Sequence, residues 1–128
     1  MTRVRAGEAR LTSLFLPAAR GCETLLQREC AAILGRDTGV RAHKSGVFVD
    51  GDALDAMRLN LESRLAQRVL WPLADGPYRD EHDLYDLARR VEWRTWITPD
   101  QTLRVDTSAQ RSPLTSLNFA SLRIKDAV

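Results

Sequence analysis

No glycine-rich loop of the dinucleotide or P-loop kind follows any apolar run in this sequence, so neither a nucleotide site nor a methyl-donor site of the usual Rossmann type is visible. Cysteine is scarce. The two present, Cys22 and Cys30, are too far apart on one predicted helix to pair and read as buried thiols of a reducing cytoplasm. The two histidines, His43 and His82, have no Cys or His at metal-ligand spacing and read as surface residues. Ser45, Ser108, Ser112 and Ser121 sit in no nucleophile-elbow pattern. No apolar run approaches the roughly 20 residues of a membrane span, and the first ten residues lack a signal-peptide core. Net charge is only +2, so global basicity makes no case for nucleic acid. These absences leave no catalytic constellation and no metal or cofactor site.

What the sequence does contain is an ordinary soluble composition over 128 residues, 44% hydrophobic and 28% charged, enough for one domain or two small ones. After an Arg-rich lead (Arg3, Arg5, Arg10), Ser13-Leu-Phe-Leu-Pro17 predicts a strand. Cys22, Leu25, Leu26, Cys30, Ile33 and Leu34 recur at helical spacing, with Gly35 as the left-handed stop. Val40–Lys44 and Val47–Asp50 predict two strands joined at Ser45-Gly46. Asp52 reads as the N-cap of a second helix, with Asp55 in its first turn and Leu54, Met57 and Leu61 as its apolar side. The run from Leu65 to Leu73 predicts a fourth strand. The order strand, helix, strand, strand, helix, strand predicts a ferredoxin-like βαββαβ domain, a fold that names no activity by itself.

Asp75-Gly76-Pro77 marks a domain joint. Beyond it, Leu84, Leu87, Ala88 and Val91 predict an amphipathic helix with an acidic start (Asp80, Glu81, Asp83) and a basic end (Arg89, Arg90), as the helix dipole favours. Those carboxylates therefore need no functional explanation. Thr102–Ser108 alternates Leu103, Val105 and Thr107 with polar residues and predicts a strand. The final run, Asn118 to Val128, predicts a helix with Leu117, Ala120, Ile124, Ala127 and Val128 on one face and Phe119 and Leu122 on another. A helix that wants partners on two sides predicts a chain cut from something longer, with this helix exposed, frayed or covered by a second copy.

The binding signal is local. Arg94 between Trp93 and Trp96 is a mixture able to stack on unpaired bases, although the tryptophans read first as filling between the two blocks. Arg104, Arg111, Asn118, Arg123 and Lys125 read as ordinary solvated surface when taken singly, and as a modest phosphate-holding patch if the fold gathers them.

Several segments resemble the start of the large-subunit ribosomal RNA guanine-N2 methyltransferases. They are Leu14-Phe15 with Ala18, Arg20-Gly21, Glu23 and Leu25-Leu26; Gly46-Val-Phe-Val-Asp-Gly-Asp52; Ser63-Arg-Leu-Ala66; Asp83-Leu-Tyr-Asp-Leu87 with Trp93; and Leu122-Arg-Ile-Lys-Asp-Ala-Val128. The resemblance implies a ferredoxin-like segment before a THUMP domain, an RNA-binding module, with a catalytic domain that uses S-adenosylmethionine following both. It implies methyl transfer to a guanine of 23S rRNA, by a domain and an Asn-Pro-Pro loop that this chain lacks. Lys125 and Asp126 match the family's Lys-Asp pair. Thr115-Ser116 stands where relatives carry a basic residue, and the nearest base is Arg111.

The expectation is thus an α+β chain: a flexible lead over 1–12, a ferredoxin-like domain over 13–75, and an incomplete THUMP-type α/β module over 76–128. Its expected role is RNA recognition for a cytoplasmic, SAM-dependent rRNA methyltransferase, with 23S rRNA as partner, no membrane association and no catalytic site of its own. The alternative from another class is a scaffolding module that docks or self-associates through the C-terminal helix. A small-molecule sensor of the same fold finds no pocket signature in the sequence.

Overall fold

The computed structural model describes residues 11–109 and 111–128. The Arg-rich lead and Gln110 of the polar loop lie outside them. The chain divides into two compact units that meet between Pro72 and Leu73.

The first unit is built on three antiparallel strands: β1 (Thr12–Pro17), β2 (Val40–His43) and β3 (Gly46–Gly51), in the spatial order β1-β3-β2. Leu14 lies opposite Val49 and Leu16 opposite Val47. All four side chains are fully buried. Period-two alternation sends these residues to one face and Phe15, Phe48 and Asp50 to the other. The β2–β3 hairpin closes on His43↔Gly46, so its turn is Lys44-Ser45, one residue earlier than the sequence suggests. Ser45 carries the turn at φ 83°, a left-handed conformation that glycine would adopt more cheaply. Gly46 is fixed by crowding: a Cβ there would meet the Leu16 carbonyl and, at 2.8 Å, the Phe15 ring.

Helix α1 (Glu23–Leu34) buries Leu26 and Cys30 against the sheet and stops at Gly35, φ 68°, as its sequence predicts. Helix α2 (Ala53–Glu62) starts in a complete capping box: the Asp52 side chain accepts from Asp55 N–H, and the Asp55 carboxylate accepts from Asp52 N–H. Its buried residue is Leu59, with Ala56 packed beside the core. The expected apolar side is therefore wrong: Leu54, Met57 and Leu61 are 69%, 63% and 85% exposed. Helix phase explains this. Leu59 and Asp55 must both face inward, one to the core and the other to the Arg36 guanidinium at 3.2 Å, and that orientation turns the leucine-methionine stripe to solvent.

The expected fourth strand contracts to one antiparallel bridge, Leu70 to Phe15. Hydrogen bonds in both directions close it, at 3.1 and 2.8 Å. Counting this bridge, the sheet order is that of the split βαβ, with α1 and α2 accounting for the two intervening helices. The segment is held chiefly at its approach. Glu29 of α1 accepts from Ser63 Oγ at 2.5 Å, Arg64 N–H at 3.0 Å and Leu65 N–H at 3.2 Å. Ser63 Oγ in turn accepts from Ala66 N–H. The Ser63-Arg-Leu-Ala66 motif is thus a turn wrapped on a carboxylate. Burial opposes the charge on Glu29, but the hydrogen bonds from Ser63, Leu65 and Arg64 outweigh it and hold the carboxyl below its ordinary 4.5.

The second unit contains α3 (Glu81–Arg89), a 3-10 turn (Trp93–Thr95) and α4 (Leu117–Ala127). The strand expected over Thr102–Ser108 does not form. Val105 and Thr107 turn half inward while Arg104, Asp106 and Ser108 stay exposed, so the alternation is real. No strand among the described residues of this unit runs beside it, and a ladder needs a partner for its N–H and C=O groups.

Two outcomes test these assignments. Ser45→Gly should raise the stability of the first unit by about 1 kcal/mol in urea unfolding, by relieving the left-handed turn. Glu29→Ala should lower it by about 2 kcal/mol at pH 7, because charge-assisted hydrogen bonds are lost. A carboxyl with a depressed folded pKa stabilises fully above its unfolded value and loses that contribution as pH falls through the folded one. Urea midpoints of the variant should therefore fall less steeply than those of the parent below pH 4.5.

Candidate functional site

In the second unit, Asp80 caps α3 by accepting from His82 and Asp83 N–H at 3.0 and 3.1 Å. Asp83 reaches back to Arg79 N–H at 2.8 Å. The acidic helix start is thus spent on its own backbone, as the sequence reading holds. Helices α3 and α4 pack together with small residues, Ala88 and Ala120, at their buried positions. Ser116 caps α4 by accepting from Phe119 N–H. Trp93 is held by its own unit, its Nε1–H donating to the Ala88 carbonyl at 2.8 Å.

The five residues singled out from the sequence fall into distinct settings. Arg123 is half-buried, its guanidinium 4.5 Å from the centre of the Tyr85 ring on α3. Arg89 approaches the same ring at 5.8 Å and donates to the Tyr85 hydroxyl. Asn118 and Lys125 are exposed and nearly superpose along α4, while Arg123 is turned about 160° from Lys125. The helix therefore separates Arg123 from the pair. A second tie brings other residues toward that pair: Thr107 and Ser121 share a hydroxyl hydrogen bond of 2.6 Å, and Ser121 lies about 40° from Lys125 on the wheel. Thr107 is consequently held on the Asn118/Lys125 side of α4. Three residues before Thr107, Arg104 is exposed and paired with Asp106 at 2.9 Å. Arg111 is exposed, with φ 50°, in a loop anchored by the Tyr78–Ser112 hydroxyl contact of 2.9 Å.

A hollow of about 400 Å³ opens between Asp80, Glu81 and His82 on one side and Phe119 and Arg123 on the other. Phe119 and Leu122 on the second apolar face of α4 are 50% and 45% exposed, whereas on the first Ala120 is buried and Leu117 is 39% exposed.

Reactive groups are few. Burial, with the Glu29 charge beside it, pushes the Cys30 thiol up to about 11, so it stays protonated at neutral pH and is no nucleophile. Among the described residues no three of His, Cys, Asp and Glu gather as a metal site. No helix among them is long and apolar enough to cross a membrane. Gly51 alone among the glycines leads from a strand straight into a helix. The Asp55 carboxylate fills the space above it, 2.9 Å from where a Cβ would stand, so the residues present do not fit a cofactor such as S-adenosylmethionine at that helix start.

The sequence reading missed one cluster, on the face of the first sheet away from the helices. Phe15 and Phe48 stand there side by side, their ring centroids 4.9 Å apart, with His43 edge-on to Phe48 at 5.3 Å. Strand alternation of Ser13-Leu-Phe-Leu-Pro17 against Val47-Phe-Val49 carried the signal, since each phenylalanine sits between two buried aliphatics.

Comparison with known proteins matches two family models to the chain, the RlmL ferredoxin-like domain over residues 13–70 and the THUMP domain over residues 78–128. Curated relatives named ribosomal RNA large subunit methyltransferase K/L, from Pseudomonas syringae pathovar tomato and Pseudomonas savastanoi pathovar phaseolicola, are 38% identical over 115 residues. That match covers 90% of this chain and 15% of each relative. The chain spans a small part of the relatives' length. A solved structure titled as a predicted N6-adenine-specific DNA methylase from Listeria monocytogenes superposes with a TM-score of 0.78 over 92% of this chain and 30% of its own, at 23% identity. At that identity the likeness speaks for the fold.

Removing the ring between the two guanidinium groups tests the α3–α4 contact. Tyr85→Leu should lower the stability of the second unit by about 1 kcal/mol, seen as a lower thermal midpoint.

Proposed function

The chain carries an RlmL ferredoxin-like domain followed by a THUMP domain, and from that premise we propose that it is the RNA-recognition portion of a SAM-dependent rRNA (guanine-N2) methyltransferase. The observation that carries this reading is the unbroken match to rRNA methyltransferases through both domains. In this reading the domains extend over 13–75 and 76–128. The chain holds a structured segment of 23S rRNA so that a guanine, taken out of its stack, reaches a catalytic domain elsewhere in the protein. When bound to that domain, S-adenosylmethionine supplies the methyl group; the residues of this chain contribute no step to the transfer. The setting of the enzyme is the cytoplasm.

Contact with RNA is made through phosphates. Asn118 and Lys125 on one side of α4, with the Arg104 segment tied alongside by the Thr107–Ser121 hydrogen bond, form one group of donors. Arg111 adds a cation from the anchored loop. Arg123 serves differently, since its guanidinium is stacked on Tyr85 beside the hollow it helps to line.

A second reading has one observation in its favour. Phe119 and Leu122 leave an apolar strip on α4, which suits docking to protein, including another copy of this chain.

Filter binding of a structured rRNA fragment to the full 128-residue chain separates the two. RNA recognition through phosphates requires affinity that falls about tenfold or more between 50 and 200 mM salt. Lys125→Ala and Arg111→Ala should each weaken binding and lower the salt slope by about 1. Negligible binding at both salt concentrations by a folded chain rejects the proposal. A dimer in sedimentation that Leu122→Asp dissolves would support docking instead.

A further inference from the structure

The first sheet has its helices on one face only. The side that buries Leu14, Leu16, Val47 and Val49 meets α1 and α2. On the opposite side the register lines up Leu70, Phe15, Phe48 and Arg41 in one row across the sheet. With the Leu70 bridge counted, β1 and β3 are the two central strands, and each contributes one half-buried phenylalanine to the middle of that row. The rings are tilted by 41°. The outer atoms of the Phe15 ring reach over Gly46. Gly46 is what allows this, because any Cβ would lift the ring.

Cations collect at one end of the same sheet. The Ala18 N–H bonds to the Ser45 carbonyl at 3.0 Å and the Gln67 N–H to the Pro17 carbonyl at 2.9 Å. These bonds draw three chain segments together, and with them Arg20, Lys44 and Arg68. All three are exposed, and none of their side chains is bonded to another described residue. The acid of the β1–α1 loop, Glu23, is occupied by the Gly21 N–H at 2.9 Å. Arg41, in contrast, is committed to Asp50 by two hydrogen bonds of 2.8 and 3.2 Å, and that contact holds the Asp50 carboxyl below its ordinary range.

Aromatic rings on the two central strands of such a sheet, with exposed cations at its rim, suit unpaired bases, whose π-faces can stack while their phosphates reach the rim. A duplex offers no such faces. An apolar protein partner would meet Arg41, Asp50 and His43 beside the rings. We infer that the open face of the first sheet binds a short single-stranded stretch of RNA, with bases stacked on Phe15 and Phe48 and phosphates running to Arg20, Lys44 and Arg68. This rests on the RNA-recognition reading and adds to it a second surface, in the ferredoxin-like domain.

The test titrates the full chain with an unstructured RNA octamer, followed by fluorescence anisotropy. Phe15→Leu and Phe48→Leu should each weaken octamer binding roughly 5- to 100-fold, the loss of one stacked base, with the salt slope unchanged. Arg68→Ala and Lys44→Ala should weaken it and reduce the slope by about 1 each. Ultraviolet crosslinking of the parent chain, read by mass spectrometry, should place the octamer on the peptides holding Phe15 or Phe48. That measurement decides the matter if a leucine variant fails its circular dichroism melt. Octamer binding unchanged in both folded leucine variants, or crosslinks confined to residues beyond Leu73, overturns the inference. If structured rRNA still binds, the broader reading survives that result; if the parent chain binds no RNA of either kind, both fall.

Discussion

The pairing of β1 with β3 is the constraint from which the first unit follows. Six residues of each strand run in antiparallel register, and because side chains alternate, one decision about register fixes both faces at once. Slipping β3 by one residue against β1 would expose Val47 and Val49 and bury Phe48 and Asp50, and slipping β1 would expose Leu14 and Leu16 and bury Phe15. Each of those aliphatics is worth about 1.5–3 kcal/mol when buried, so the register is strongly specified. The core, the hairpin turn at Lys44-Ser45 and the aromatic pair on the far face are consequences of the same choice. Gly46 belongs to it too, since only a residue without a Cβ fits between the Leu16 carbonyl and the Phe15 ring.

Around that pair, three charged side chains fasten the helices by accepting or donating to backbone. Glu29 holds the turn after α2. Arg36 donates to the Thr38 and Asp50 carbonyls at 2.6 Å and pairs with Asp55. Arg58 donates to the Ile33 carbonyl near the end of α1 at 2.6 Å, a cation where the helix leaves its carbonyls unsatisfied. None of these contacts is a surface ion pair of the weak, solvent-screened kind alone; each satisfies a main-chain group that would otherwise face water or lack a partner.

Features governed by neighbouring residues were legible in the sequence. Asp52 with Asp55, Asp80 with its following amides, and Gly35 all act over one helical turn, and each appears in the structure where the pattern places it. The α+β class and the two-part organisation followed from periodicity and the Asp75-Gly76-Pro77 break. Features that depend on a distant partner were not legible. The α2 stripe of Leu54, Met57 and Leu61 has helical spacing, but Asp55 and Leu59 decide which way the helix turns. Thr102–Ser108 alternates like a strand and finds no strand to pair with. In the candidate site, helical spacing already put Arg123 on the flank away from Asn118 and Lys125, but the sequence could not show that Arg123 is stacked on Tyr85. Nor could it show that two phenylalanines 33 positions apart in sequence would meet across a sheet.

The attachment of the fourth edge of the sheet by a single bridge has a kinetic meaning. Leu70 exchanges two hydrogen bonds with Phe15, and Gln67 adds one more to Pro17, whereas β1 and β3 share a six-residue ladder. Amides of the 67–70 segment should open in small, local excursions while those of β1 and β3 wait for the unit to unfold as a whole. Such an edge can peel back, at the cost of the two bonds to Phe15, while the β1–β3 ladder stays paired. The stretch of chain that joins one unit to the next is thus the part of the first unit that yields soonest under strain.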